Sequence, residues 1–121
     1  MDNKVLWLSR HTMTEAQVLD LKRIYGEIEV VQHSENVANG KEVLNLISTI
    51  NPDVVAVVLP PSILGEVVNS TKLPVIRAIA NRVETGKEIL NPATGKMEKE
   101  FMFQHVAWER IVKIEIVTER L

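Results

Sequence analysis

The chain has 121 residues, 45% of them hydrophobic and 25% charged, and 14 basic against 16 acidic residues give a net charge of −2. This length and composition predict one globular domain over residues 1–121. Because the basic residues form no tract, long duplex nucleic acid is not expected as a partner. The sequence contains no cysteine, which excludes disulfides, thiolate catalysis and cysteine zinc sites.

Targeting and membrane segments are also not expected. The first residues are strand-like rather than a basic segment followed by an apolar run, so no signal peptide is predicted. No apolar stretch approaches the ~20 residues that a membrane-spanning helix needs. These features predict a cytoplasmic protein without membrane contact.

The first two-thirds of the chain alternates strand and helix patterns. The strand patterns fall on residues 4–8, 28–33, 54–59 and 74–80. Residues 54–59 are apolar on both faces, which is typical of a central strand covered by helices on both sides. Crossovers of helix length between strands predict parallel pairing.

Helix-start signals precede each of the three predicted helices. The first helix has two possible capping boxes, Thr12 with Glu15 or Thr14 with Gln17. The second is predicted to begin after Asn39. The third is short and follows Pro60.

The last third of the chain has strand and turn patterns without the alternating helices. A turn cluster at residues 91–95 separates residues 87–90 from a β-like run at 101–108, and residues 112–118 alternate like a one-sided strand. We expect antiparallel strands at the sheet edge, with residues 81–97 as a protruding ribbon. The predicted fold is therefore a Rossmann-like, three-layer α/β domain with a parallel sheet and antiparallel C-terminal strands.

Polar side chains follow the four predicted strands at the points where the strands end. Because ligands of open α/β sheets bind at the carboxyl ends of the strands, these residues are the candidate site. The set is rich in cations and donors and contains no carboxylate, so it suits a phosphate or another anion better than Mg²⁺ or paired-carboxylate hydrolysis. No metal and no cofactor are predicted. The strand ends supply Ser9, Arg10, His11 and Thr12; Gln32, His33 and Ser34; Pro60, Pro61 and Ser62; and Asn81 and Arg82.

Some of these residues have structural alternatives. Arg10 could pair with a surface glutamate, and His11 could cap the sheet edge. Their adjacency at the end of the first strand favours a site role, with Arg10 and His11 as the candidate catalytic pair. His33 could equally be a solvated strand end.

Three further residues leave alternatives open. Ser62 could serve only as a helix N-cap. Arg77, within the fourth strand, is either an edge residue or a cation directed into the site. His105 could belong to sheet packing or to a subunit contact.

Residues 8–14, Leu-Ser-Arg-His-Thr-Met-Thr, resemble the Arg-His-Gly motif of histidine phosphatases, which also follows a first strand. In that family the histidine becomes phosphorylated and arginines hold the phosphate. Thr12 stands where the family has glycine. The resemblance implies a phosphohydrolase and is the lesser of two.

The second resemblance covers more of the chain. A small Rossmann-like domain with a first strand ending in Ser-Arg-His, a third strand bounded by proline and added C-terminal strands resembles stand-alone CRISPR-associated Rossmann-fold (CARF-like) proteins, including small ring nucleases. It implies binding of a cyclic oligoadenylate across a dimer axis and metal-independent cleavage through a ribose 2′-hydroxyl. By position, Ser9, Arg10 and His11 would form the phosphate-contacting loop.

The residues are compatible with such chemistry. Arg10 can bridge phosphate oxygens, and His11 can move a proton near neutral pH. A ring of repeating nucleotides suits a two-fold site, so a homodimer is expected; residues 101–108, apolar on both faces, would be either a central strand or the border with a partner. A non-catalytic sensor or sponge for a cyclic nucleotide is the alternative, and a plain interaction module is a third.

Overall fold

In a computed structural model, which describes residues 2–114 and 119–121, the chain folds into alternating strands and helices. The described residues form five strands and three helices, in the order β1 (Asn3–Leu8), α1 (Glu15–Tyr25), β2 (Ile28–His33), α2 (Gly40–Ile50), β3 (Val54–Val57), α3 (Pro61–Ser70), β4 (Val75–Asn91) and β5 (Lys96–Arg110). None of the described helices is long and apolar enough to cross a membrane.

The strands form one mixed sheet in the order β2-β1-β3-β4-β5. β1 pairs in parallel with β2 and β3, β3 pairs in parallel with β4, and β5 is antiparallel to β4. The predicted α/β class and the central position of β3 are confirmed. β5 is the edge strand, so the alternative in which residues 101–108 form a central strand is wrong.

The sheet is covered on both faces. On one face Trp7 and Trp108 meet edge to face, with ring centroids 5.8 Å apart, and Leu21 of α1 packs beside them. On the other face Leu6 packs against α2 and α3 through Val43 and Val67. Every residue of β3 is buried, because helices cover this strand from both sides.

β3 ends two residues earlier than the predicted strand at residues 54–59. The N–H of Val58 still donates to the Leu8 carbonyl at 3.2 Å, but the Val58 side chain is 66% exposed. Pro60, two residues later, has no N–H to donate to a ladder and is the N-cap residue of α3. Val58 therefore lies at the sheet edge facing solvent, whereas Leu59 packs against the core on the α2 and α3 side.

The structure shows which of the candidate residues cap the three helices. Thr14 is the N-cap of α1, and the capping box is formed with Gln17, not by Thr12 with Glu15. Asn39 caps α2 as predicted, with its side chain accepting from the Glu42 N–H at 3.0 Å. Ser62 is not the cap of α3, since it lies inside the helix after Pro60.

β4 and β5 continue beyond the sheet as a two-stranded antiparallel ribbon. The pairing runs from Ala80 opposite His105 to Asn91 opposite Lys96, with irregularities between Ile79 and Ala80 and between Glu84 and Glu88. The predicted ribbon at residues 81–97 is present. It also includes residues 98–104 of β5, which pair with its β4 strand, so the ribbon is residues 81–104.

The strand predicted at residues 112–118 is not formed in its first part. Val112, Lys113 and Ile114 have no strand assignment, and Ile114 instead packs on the core beneath α2 and α3. The rest of that prediction, residues 115–118, lies outside the described residues.

Candidate functional site

The candidate site is a cleft at the carboxyl edge of the parallel strands. The chain passes from β1 to β2 on one side and then returns across to β3 on the other, so the strand order reverses between β1 and β3. Open α/β sheets bind ligands at such switch points, because the loops there diverge and leave a crevice. The loop of residues 9–12 follows β1 directly into this crevice.

Hydrogen bonds hold the backbone of this loop in place. The Trp7 indole N–H donates to the His11 carbonyl at 2.7 Å, and Gln32 Nε2 donates to the Ser9 carbonyl at 3.0 Å and to the His11 carbonyl at 3.2 Å. The His11 N–H donates to Ser9 Oγ at 3.1 Å. Gln32, predicted to contact ligand, is placed by the structure as a side chain that positions the loop.

Arg10 and His11 are exposed at the tip of this fixed loop. Across residues 2–114 and 119–121, neither side chain forms a hydrogen bond or an ion pair. The buried side chain of Met13 and the capping box of Thr14 anchor the chain just after them. A guanidinium and an imidazole are thus presented together on a rigid support.

A cavity of about 420 Å³ lies on the β2 side of the loop, and we call it the β2-side cavity. Arg10 and His11 line it together with residues that follow β2 and β3. Glu35 is among them, so the expectation that the site contains no carboxylate is wrong. The reason is topological, since β2 is the neighbour of β1 and its loop therefore borders the same crevice. The lining residues are Leu8, Ser9, Arg10, His11, Ser34, Glu35, Asn36, Val37, Val58, Leu59, Pro60 and Ile63.

A second cavity of about 390 Å³ lies on the other side of the loop, towards β4, and we call it the β4-side cavity. It shares Ser9, His11, Val58 and Leu59 with the first cavity. Thr12 lies here, and apolar residues such as Trp7, Leu64 and Ala78 form much of its wall. His11 and Val58 therefore stand between two adjoining spaces.

Arg77 combines the two alternatives that the sequence left open. It forms an ion pair with Glu109, the residue directly opposite on β5. It also lines the β4-side cavity. Arg77 is thus a paired edge residue that borders the cleft.

Besides Gln32, five predicted site residues line neither cavity, and one of them, Asn81, lies on the ribbon opposite Gln104. Pro61 and Ser62 lie exposed in the first turn of α3, and neither lines one of the two cavities. His33 borders a surface depression beside α2 that adjoins the β2-side cavity, with which it shares Glu35, Asn36 and Val37. Arg82 lies on the ribbon, with its guanidinium carbon 3.8 Å from the centre of the Phe101 ring.

His105 belongs to packing between the ribbon and α1. Its side chain is 7% exposed, and Nε2 lies 3.0 Å from Asp20 Oδ2. This hydrogen bond, together with the one from Arg23, lowers the pKa of the Asp20 carboxyl below its ordinary value. Of the two alternatives for His105, the structure supports sheet packing.

Three features of the cleft escaped the sequence reasoning. Trp7 was part of the buried strand pattern, and nothing in that pattern shows that its indole N–H fixes the loop. Val58 was counted as a strand residue because the apolar run continues through it. Glu35 could have been found, since it directly follows Ser34 after the second strand.

The cleft is equipped to hold an anion. The Arg10 guanidinium, the His11 imidazole and the hydroxyls of Ser9 and Ser34 line a partly apolar space, and Glu35 is the one carboxylate in that lining. The described residues contain no group of three or more His, Asp or Glu side chains that could hold a metal ion. A phosphate-bearing molecule with an apolar portion is the ligand class that these groups fit.

Comparison with protein-family models, with curated proteins and with solved structures finds no match for this chain.

Proposed function

We propose that the chain binds a phosphate-bearing cyclic nucleotide, a cyclic oligoadenylate, at the carboxyl edge of its sheet. The observation that carries the proposal is the pair Arg10 and His11, which lie side by side on a fixed loop without side-chain partners in the described chain. Within the described residues Arg110 is also without an ion pair, so the lack of a partner does not by itself mark a ligand site; the position of Arg10 beside His11 at the cleft supports one. An unpaired guanidinium at a cleft is free to bind a ligand phosphate bidentately.

The two cavities support a ligand that is more than an inorganic ion. Each, at about 420 and 390 Å³, is within the range of sites for small organic molecules. Phosphate would lie against Arg10 and His11. Bases would occupy the apolar walls beside Val58 and Trp7, and the repeated units of a ring would use both sides of the loop.

We further propose that bound ligand is cleaved without metal. A ribose 2′-hydroxyl attacks the adjacent phosphorus, the bond from phosphorus to the 5′-oxygen of the next nucleotide breaks, and a 2′,3′-cyclic phosphate and a 5′-hydroxyl result. The hydroxyl proton leaves to a base, and the departing 5′-oxygen takes up a proton. His11 would transfer the proton, and Arg10 would stabilise the charge on phosphorus.

A non-catalytic sensor or sponge uses the same contacts and differs only in whether the 2′-hydroxyl is held in line with the scissile bond. The histidine-phosphatase alternative has less support. Neither His33 nor His105 lines the cavity that contains His11, so the second histidine of that chemistry is missing from the described site.

The test is a binding and turnover assay in EDTA with cyclic oligoadenylates of several ring sizes. Purified protein is incubated with each ring, and bound, free and cleaved species are resolved. Arg10→Ala should weaken binding about tenfold to a hundredfold, the effect of losing a charge-assisted contact. His11→Ala should bind almost normally and reduce any turnover by ~10²–10⁴.

Arg110→Ala is the matched control, because Arg110 is exposed at the end of β5 and lines neither cavity of the cleft. Binding without turnover in the wild type would select the sensor or sponge. If no ring binds, or if Arg10→Ala and Arg110→Ala behave alike, the proposal is wrong.

A further inference from the structure

The ribbon, residues 81–104, is held mainly by the pairing of its own two strands. β4 pairs with β3 only through Val75 and Ile76, and from Ala80 onwards β4 pairs only with β5. Almost every residue of the ribbon is exposed. Because an isolated two-stranded hairpin is at best marginally stable in water, a ribbon of this length is expected to pack against something.

One face of the ribbon carries both of its phenylalanines together with two other large apolar side chains. The register places Leu90 opposite Met97, and residues directly opposite each other share a face. The two-residue repeat of a strand adds Phe101 and Phe103 to that face. We call this side of the ribbon, with all the residues on it, the aromatic face; Phe103 is 76% exposed, Leu90 61% and Met97 57%.

The charges on the aromatic face cancel. Arg82 and Lys99 are its cations, and Glu84 and Glu88 are its carboxylates. Lys99 Nζ lies 3.4 Å from Glu84 Oε1, and Arg82 stacks on Phe101. A neutral, charge-paired surface of this kind does not favour nucleic acid or an anionic membrane, whereas it is complementary to another copy of itself.

The aromatic face also continues a face that is already covered. His105 is the next residue along the same side of β5, and it lies under α1 against Asp20. α1 covers this face as far as His105, and Phe103 beyond it is exposed.

The opposite face of the ribbon exposes Val83, Ile89 and Met102 but has no aromatic side chain. It also contains hydrogen-bonded polar pairs, with Asn91 Nδ2 donating to Glu98 Oε1 at 3.0 Å and Thr85 Oγ1 donating to Glu100 Oε2 at 3.2 Å.

We propose that the aromatic face packs against the aromatic face of a second copy of this chain around a two-fold axis. In such an isologous contact the same surface of each copy meets that of the other, and Phe103, the most exposed apolar side chain of this face, is covered. The ribbon leaves the sheet at the same edge as the cleft, since Ala78 and Ala80 of β4 line the β4-side cavity. The contact therefore lies beside the proposed ligand site, and it requires no ligand to form.

The test is sedimentation velocity on the full chain without ligand, over a series of concentrations. The wild type should dimerise, and Phe103→Lys should raise the dimer dissociation constant at least tenfold. Met102→Lys is the matched control, because Met102 is 54% exposed on the opposite face of the same strand and should leave the dimer intact. Circular dichroism establishes that both variants fold.

Two results would overturn the proposal. One is a wild type that stays monomeric up to about 1 mM, where even weak contacts register. The other is equal loss of the dimer in Phe103→Lys and Met102→Lys, which would place the contact elsewhere. A monomer that still binds a cyclic oligoadenylate through Arg10 would refute the aromatic-face contact and leave the proposed function standing.

Discussion

The body of the domain and its ribbon differ in what stabilises them. In the body, β1 and β3 are buried under helices on both faces, and side chains such as Leu6 and Val55 are fully inaccessible to solvent. In the ribbon, residues 81–104 pair with each other and expose large apolar groups to solvent. The body is stabilised by its own core, whereas the ribbon has backbone pairing without a core.

This difference separates the two proposed activities. The cleft lies on the rigid body, where hydrogen bonds from Trp7 and Gln32 fix the loop that presents Arg10 and His11. Precise presentation of a cation to a phosphate requires such support. The ribbon needs no such precision, because the free energy of burying an apolar surface depends mainly on the area that is removed from water. Ligand chemistry is therefore assigned to the body and subunit contact to the ribbon.

The largest expected effect compares two leucines. Leu6→Ala removes a fully buried side chain of β1 and should lower the free energy of unfolding by about 2–5 kcal/mol. Leu90→Ala removes a side chain that is 61% exposed on the ribbon. It should change the free energy of unfolding by less than about 0.5 kcal/mol at concentrations where the chain is monomeric.

Chemical denaturation of both variants at low protein concentration makes the comparison. A Leu90→Ala variant that loses as much stability as Leu6→Ala would show that the ribbon packs against the body, contrary to the structure.

A smaller effect is expected where the body brings two helices together. A Cβ added at Gly40, the first residue of α2, would lie 2.4 Å from Glu66 Cβ on α3. Gly40→Ala should therefore cost about 1–3 kcal/mol through overpacking. Gly65→Ala, inside α3, is the control, because its Cβ would meet only Ile114 at 3.9 Å and alanine is the better helix former.

Thermal unfolding compares the two glycine variants directly. Equal stabilities for Gly40→Ala and Gly65→Ala would mean that α2 and α3 are not in close contact at Gly40.

The smallest effect concerns the joint between body and ribbon, where His105 meets Asp20. The hydrogen bond from His105, and then Arg23, lowers the pKa of the Asp20 carboxyl below its ordinary value of 3.8. A lowered pKa in the folded state stabilises the fold above the ordinary value, and this stabilisation is lost as the pH falls through the lower folded pKa.

Asp20→Asn should therefore reduce stability near neutral pH and flatten the acid side of the stability curve below about pH 4. Urea denaturation from pH 7 to pH 3 measures this, with Asp2→Asn as the control. Identical acid-side slopes for wild type and Asp20→Asn would contradict the role of this joint.

The body could largely be predicted from sequence because its patterns are local. The apolar run at β3, the capping residues Thr14 and Asn39 and the helix-length spacing each reflect burial or capping of a short segment. The site was predictable only in part. The direct sequence neighbours Ser9, Arg10, His11 and Thr12 do border the cleft.

The remaining site predictions depended on where strands and helices end, and sequence patterns place those ends least reliably. Ser62 lies inside α3 because the helix begins at Pro61, and Arg82 lies on the ribbon because β4 runs on without a turn. The role of Gln32 depends on a contact from β2 to the loop after β1, 23 residues away in sequence, which no local pattern encodes.

The most direct test of the central claim, that the cleft of the body and not the ribbon binds the nucleotide, is a backbone amide NMR titration with a cyclic oligoadenylate. We expect shifts at residues 9–12, at residues 34–37 and at Val58 and Leu59, no shifts at residues 89–95 at the tip of the ribbon, and a loss of the cleft shifts in Arg10→Ala. Shifts confined to the ribbon, or cleft shifts that persist unchanged in Arg10→Ala, would contradict the account.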